Sequence, residues 1–383
     1  MPKPLNSDNL QSTKPHICIL APNAFSIISG DKNIKIVGGA ELQQVLLAKA
    51  LVLKGFKVSM ICMDHGQADN LEIDGIQIIK AFKPNAGLPV LRFLYPRLSS
   101  FWQGMKRANA DIYFQSAAGM ITGLAVAFCK LHHKKSIFYA AHNADFTEKP
   151  THIKYRRDLW LYHYGVKHAN EILTQNTEQQ RLCKLMFNRD SIIVPNLYAL
   201  PESSGNNANG YILWVSTIRE FKRPALFVEL AKSMPHFHFK MVGGFVPGDE
   251  ALYENIKTQA ESLSNLDFEG FVPYSGIDSY FNGARLVINT SHTEGFPNAF
   301  LQAWARKIPT ISFFDCGALV DEKPLGFIVD SLENMRVIAE KLMTDDKTWL
   351  AQGERSQAYF SANHSIEHAI DQYTDVLTAL VNE

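Results

Sequence analysis

The run Arg285-Leu286-Val287-Ile288-Asn289-Thr290-Ser291-His292-Thr293-Glu294-Gly295-Phe296-Pro297-Asn298-Ala299-Phe300-Leu301-Gln302-Ala303-Trp304 changes period midway. Its first six residues are apolar and β-branched and read as a buried strand. After Pro297 the apolar residues Phe300, Leu301 and Trp304 recur at helical spacing. Pro297 suits the first position of that helix, where a missing N–H costs nothing. A carboxylate, Glu294, therefore sits in a strand-to-helix turn. Just beyond it, Asn298 and Ala299 offer backbone N–H groups that a helix leaves free for an anion. Read blandly, Glu294 caps the helix.

This turn resembles the signature of glycosyltransferase family 4, retaining enzymes built from two facing Rossmann-like domains. The family pattern is Glu-Gly-Phe-Pro-Asn, with a second Glu separated from the first by seven intervening residues. Here Glu294 to Asn298 match and Gln302 takes the place of the second Glu. The resemblance implies that Glu294 binds hydroxyls of the transferred sugar and that Gln302 holds the ribose. An amide oxygen accepts those bonds without the help of charge. It also implies donor contacts from Gly295, Phe296, Pro297, Asn298 and Ala299.

Moving a sugar off a nucleoside diphosphate requires a neutralised leaving group, a stabilised cation-like ring and aligned reactants. For the diphosphate, Ser216-Thr217-Ile218-Arg219-Glu220-Phe221-Lys222-Arg223-Pro224 lies between a strand and a helix, where open α/β sheets bind ligands. Cations at a helix N-terminus oppose its dipole unless an anion arrives. The family pattern Gly-Arg-Leu-x-x-x-Lys places Lys222 on the diphosphate. Thr217 stands where the family has Arg, so Arg219 is the natural substitute and Arg223 the next choice. Gly38-Gly39-Ala40-Glu41 resembles the family's turn near the donor phosphates or sugar; the alternative is a purely structural turn. His142 follows the strand Ser136–Ala141 and matches a family His that touches the transferred sugar. Gly244, Val272 and the turn after Ser312 complete the nucleotide pocket by resemblance.

There is no Walker A sequence and no Gly-x-Gly-x-x-Gly, which argues against an NTPase or a dinucleotide oxidoreductase. No Asp-x-Asp triplet and no His/Cys spacing marks a metal site. The expectation is a metal-independent enzyme with no cofactor, its nucleotide-diphosphate sugar being a co-substrate.

With 383 residues, 46% hydrophobic and 20% charged, the chain has the composition of a folded soluble protein. That length suggests two domains of about 190 residues each. No apolar run spans a bilayer, and Met1 to Lys14 lacks the apolar core of a secretory signal. The five cysteines are scattered, as buried thiols in a reducing cytoplasm would be. Net charge is zero, yet the chain up to Pro195 carries 24 Lys+Arg against 14 Asp+Glu, and the remainder the reverse. The basic half suits an anionic membrane surface or a phosphate-bearing acceptor. No nucleic-acid motif accompanies it.

Strand and helix patterns alternate throughout, which predicts α/β layers with parallel sheets. The expected fold is α/β, two Rossmann-like domains facing across a cleft (GT-B architecture). Its expected parts are a lead-in (1–14), an acceptor-binding domain (15–200), a linker (201–210), a nucleotide-sugar-binding domain (211–362) and a last segment (363–383). The resemblance implies that this last segment crosses back to the first domain. Leu88-Pro89-Val90-Leu91-Arg92-Phe93-Leu94-Tyr95-Pro96-Arg97, continuing to Phe101-Trp102 and Lys106-Arg107, mixes bulk with cations. It reads as a dock for anionic lipid or a lipid-linked acceptor, or as a core helix with a solvated face. Lys154, Arg156 and Arg157 extend that surface.

The expected function is retaining transfer from a nucleotide sugar to a saccharide or lipid-linked acceptor. The expected setting is bacterial cell-surface polysaccharide synthesis in the cytoplasm, peripheral on the membrane's inner face. Two rivals are a nucleotide-sugar 2-epimerase and a non-catalytic sugar-nucleotide-binding protein.

Overall fold

The computed structural model describes residues 14–34, 38–87, 93–150, 153–201, 209–316 and 325–382. Most of the expected lead-in and linker, and residues 88–92 of the basic-aromatic stretch, lie outside these.

Two separate sheets form, in accord with the expected fold class. The first holds β1 (His16–Leu20), β2 (Lys57–Cys62), β3 (Glu72–Ile73), β4 (Ile76–Lys80), β5 (Ile112–Ser116), β6 (Lys135–Tyr139), β7 (Glu171–Thr174) and β8 (Ile192–Ile193). Their spatial order is β3-β4-β2-β1-β5-β6-β7-β8, parallel except for the β3–β4 hairpin. Between them run α1 (Phe25–Ser29), α2 (Gly39–Leu53), α3 (Ser99–Ala108), α4 (Met120–His132), α5 (Arg156–His168) and α6 (Thr177–Phe187). The apolar runs become parallel strands because helices cover both faces of the sheet. In β1, Ile17, Cys18 and Ile19 are all fully buried.

The second sheet has the order β11-β10-β9-β12-β13-β14, all parallel. Its strands are β9 (Tyr211–Val215), β10 (Phe239–Val242), β11 (Leu266–Gly270), β12 (Ala284–Asn289), β13 (Thr310–Ser312) and β14 (Phe327–Ile328). Its helices are α7 (Pro224–Ser233), α8 (Glu250–Glu261), α9 (Tyr274–Gly283), α10 (Asn298–Trp304), α11 (Leu332–Thr344) and α12 (Asp346–Asn363), followed by α13 (Ile366–Asn382). Strand order reverses between β9 and β12, so the loops leaving these two strands diverge. Such a switch point opens a crevice at the strand C-termini. Arg219 and Lys222 leave β9, and Glu294 leaves β12.

The two sheets share one continuous apolar cluster, which runs from Ile17 and Leu46 through Phe296, Phe300 and Trp304 to Phe360 and Tyr373. Burying each of these large side chains contributes about 1.5–3 kcal/mol. The α13 helix lies against α2: Lys54 pairs with Asp371, and the Tyr373 hydroxyl donates to the Pro195 carbonyl at 3.0 Å. All five cysteines are buried and free, and burial pushes the Cys18 thiol up to about 12. No helix among the described residues is long and apolar enough to cross a membrane.

One local expectation is corrected. Pro297 caps α10 in an extended conformation (ψ 124°), and Asn298 is the first helical residue. Phe300's N–H bonds the Pro297 carbonyl, so the proline serves as the cap. The α4 helix ends at His132, with His133 as its left-handed cap (φ 54°), and Lys135 begins β6. The β3 strand was not expected; it pairs with β4 across Asp74-Gly75, both at positive φ.

Candidate active site

The β9 exit loop is held in place by the strand exits beside it. Ile218 is fully buried, and its N–H donates to the Gly244 carbonyl at 2.8 Å. A short 3₁₀ turn, Glu220–Lys222, follows. Next, Arg223 takes the left-handed conformation (φ 48°), and Pro224 opens α7. Arg223 Nε donates to the Thr290 carbonyl at 2.8 Å, and its guanidinium lies 4.4 Å from the Phe313 ring centre. Its second contact is the Ser291 carbonyl. These bonds make Arg223 a clamp between the β9 and β12 exits, so it is withdrawn from the diphosphate. The Thr290 hydroxyl donates to the Lys222 carbonyl at 2.7 Å, and His292 N–H to the Phe221 carbonyl at 2.9 Å.

The clamp sets Lys222 against Glu294. Lys222 Nζ bonds Glu294 Oε1 directly, with the two side chains only 14% and 11% exposed. The Ser291 hydroxyl (2.7 Å) and Asn289 Nδ2 (3.4 Å) converge on the same oxygen. Among the described residues no hydrogen bond falls on Oε2. Burial acts to raise the Glu294 pKa. The Lys222 charge and the bonds from Lys222 and Ser291 outweigh it, holding the carboxyl below its ordinary value. Arg219 lies on the same loop. Its Nε is buried and has no hydrogen-bond partner among the described residues.

The first sheet supplies the opposite wall. Asp145 Oδ2 accepts the Ala141 and His142 N–H groups, which fixes the turn after β6. His142 Nδ1 accepts the Ala144 N–H at 3.0 Å. That acceptor role puts the proton on Nε2, 3.2 Å from the Thr293 carbonyl, so neutral His142 donates across the seam to the residue preceding Glu294.

Further amides hold this turn. Asn176 Nδ2 reaches the Gly295 carbonyl (3.3 Å), and Asn196 Nδ2 the Phe296 carbonyl (3.1 Å). Gln43 bridges Leu197 and Asn298, and Asn298 Nδ2 donates to the Gly39 carbonyl at 3.0 Å. At Gly295 a Cβ would stand 2.4 Å from the Ala141 carbonyl oxygen and 2.4 Å from Gln175 Oε1, so only glycine allows this approach. The arrangement can neutralise a diphosphate with Arg219 and Lys222 and accept sugar hydroxyls on Glu294.

Residues 209–345 match the family described as glycosyl transferases group 1. The chain is 24% identical over 363 residues, covering 90% of this chain and 98% of the relative, to an uncharacterized glycosyltransferase of Haemophilus influenzae. Among solved structures it is similar to the sucrose-phosphate synthase of Thermosynechococcus elongatus. The TM-score is 0.78 at 15% identity, covering 96% of this chain and 100% of that one. It is likewise similar to Anabaena HepE in complex with UDP and glucose. There the TM-score is 0.75 at 15% identity, covering 95% and 99%. At these identities the structural likeness speaks to the fold.

The structure brings Glu294, Lys222 and His142 together at one seam, with Arg219 on the loop that carries Lys222. Gly244 and Val272 follow β10 and β11 on the same edge of the second sheet, and Gly38 with Gly39 opens α2 opposite Asn298. The Phe296 side chain is corrected: its ring packs on Trp304 and His364 in the shared core, 8% exposed, and so binds the domains together. Gly295 and Pro297 are buried in the same seam, while Asn298 and Ala299 are half-buried. Gln302 is 4% exposed, so a ribose reaches it only if donor binding moves its neighbours. The sequence reading missed Gln43, Gln175, Asn176, Gln179 and Asn196. The amide-rich run Gln175-Asn176-Thr177-Glu178-Gln179-Gln180, directly after an apolar strand, was the available signal.

Proposed function

We propose that this protein is a glycosyltransferase that moves a sugar from a nucleoside diphosphate to a saccharide or lipid-linked acceptor, with retention at the anomeric carbon, in building a cell-surface polysaccharide. Residues 15–200 would form the acceptor domain and 211–362 the donor domain, with 363–383 returning to the first. The observation that carries this reading is the buried Lys222–Glu294 pair at the switch point, with the Nε of Arg219 on the same loop buried and unpartnered among the described residues. Two cations on this loop can meet the charge of a diphosphate.

In this reading the diphosphate draws Arg219 and Lys222. Glu294, relieved of its lysine, accepts hydrogen bonds from sugar hydroxyls on both carboxylate oxygens. As the bond from the anomeric carbon to phosphate breaks, its electron pair leaves with the phosphate. Negative charge then builds beside the two cations and positive charge on the ring beside Glu294, so both interactions strengthen in the transition state. The departing phosphate oxygen takes the acceptor's proton, and the acceptor oxygen bonds the carbon from the same face. His142, carrying its proton on Nε2, donates to a sugar hydroxyl in place of the Thr293 carbonyl. Gly38, Gly39, Gly244, Val272 and the backbone from Gly295 to Ala299 line the donor, and Gln302 meets the ribose.

A panel of UDP-, GDP-, ADP- and CMP-sugars, read by thermal shift and by release of nucleotide, tests this reading. UDP-glucose is the first choice, because a HepE structure holds it. A binder raises the melting midpoint according to its affinity. Glu294→Ala abolishes transfer; transfer at a near-normal rate in that variant overturns the assignment.

A further inference from the structure

The basic-aromatic stretch gains a second wall in the fold. The α4 and α5 helices touch backbone to backbone: a Cβ on Gly123 would stand 2.0 Å from the Leu161 carbonyl oxygen, and one on Gly165 2.7 Å from Gly123 N. Tyr162, Gly165 and Val166 therefore face inward on α5. The opposite face carries Trp160, 64% exposed and stacked on Tyr164 with centroids 5.9 Å apart. Lys130 of α4 lies 5.5 Å from the Tyr164 ring centre. At the start of α5, Arg157 sits 3.8 Å from the Phe93 ring centre and 5.1 Å from that of Tyr155, which joins residues 93–98 to the same surface. Leu94, Tyr95 and Tyr155 are more than half exposed.

We infer that this surface docks the protein on an anionic lipid bilayer. Residues 93–107, 120–135 and 153–168 contain ten Lys and Arg, of which Lys134 pairs with Asp111 and Arg157 with Asp158, and the remaining excess of cations is complementary to negative headgroups. An exposed tryptophan and tyrosines among cations fit the headgroup level of a bilayer, where one end of the ring is apolar and the other wet. An acidic soluble partner would satisfy the cations and leave Leu94 and Trp160 in water. The chemistry of the surface therefore favours lipid. The inference does not depend on the glycosyl transfer proposed above.

The full chain is mixed with phosphatidylcholine vesicles with and without phosphatidylglycerol. Binding is read by sedimentation and by quenching of tryptophan fluorescence with brominated acyl chains. Trp160 is the one exposed tryptophan, because Trp214, Trp304 and Trp349 are buried and Trp102 is half-buried, so quenching reports its insertion. Binding is expected only with phosphatidylglycerol, weakening with salt, with quenching lost in Trp160→Phe. Lys154→Gln with Arg156→Gln lowers the affinity about thirtyfold, from roughly fivefold per cation near the surface. Neither cation makes an ion pair among the described residues, so the double variant keeps the wild-type melting midpoint, and its nucleotide-sugar binding without vesicles is unchanged. Absence of phosphatidylglycerol-dependent binding, or binding that neither quenches Trp160 nor responds to the double variant, overturns the inference.

Discussion

Replacing Lys222 by Met keeps most of the side-chain volume and removes the charge that faces Glu294. The two side chains are 14% and 11% exposed, so water reaches the stranded carboxylate poorly. Removing one partner of a buried pair costs about 3–5 kcal/mol. Ser291 and Asn289 still bond Oε1, which favours the lower end, about 3 kcal/mol. For a domain of roughly 170 residues that lowers the melting midpoint by about 6–12 °C. The sign of the pH effect follows from the wild-type carboxyl, held below its ordinary value of 4.5. Its contribution is whole at neutral pH and is lost as pH falls through the folded pKa. In Lys222→Met burial dominates, the folded pKa rises above the unfolded one, and acidification relieves the penalty. The gap between the two proteins therefore narrows as pH falls from neutral towards about 4.5. Urea unfolding followed by tryptophan fluorescence measures it, since buried Trp214 donates to Thr290 within this loop. Adding Glu294→Gln restores stability to within about 1 kcal/mol of wild type, because neither charge is then unpaired. A Lys222→Met protein within about 1 kcal/mol of wild type, with a gap independent of pH, would refute the reasoning.

Three further outcomes follow. Gly295→Ala pushes a methyl against the Ala141 carbonyl and Gln175. It should disfavour the closed seam by about 1–3 kcal/mol, roughly 5- to 150-fold in population, visible as a larger radius of gyration in X-ray scattering. Arg219→Ala should weaken nucleoside diphosphate binding by about tenfold to a hundredfold in calorimetry, the worth of one charged hydrogen bond, with the melting midpoint unmoved. His364, buried with Nδ1 donating to the Asn196 carbonyl, has its pKa pulled down by burial to about 4. It stabilises the fold above its ordinary 6.5, and that contribution fades as pH falls towards 4, so the urea midpoint of His364→Gln should depend less steeply on pH over this window.

The β12–α10 turn was legible because its hydrophobic period changes within one short stretch, and no tertiary contact is needed to see that. Glu294 and Lys222 were found as separate motifs. Their direct pairing was not legible, since it joins residues far apart in sequence through the Arg223 clamp. Arg223 itself looked as available as Arg219; only its bonds to Thr290 and Ser291 tell them apart. Phe296 was assigned to the donor because resemblance transfers a motif without saying which atoms face the ligand. The seam amides escaped notice because an isolated Asn or Gln carries no periodic signal. Asn196 gains its role only when the Phe296 carbonyl arrives from the other domain.

A crystal structure of the chain with an unhydrolysed nucleoside diphosphate sugar tests the central claim most directly. The account predicts the diphosphate between Arg219 and Lys222, the Lys222–Glu294 bond opened, and sugar hydroxyls on Glu294. A nucleotide bound away from the β9–β12 crevice, with that ion pair intact, would contradict it.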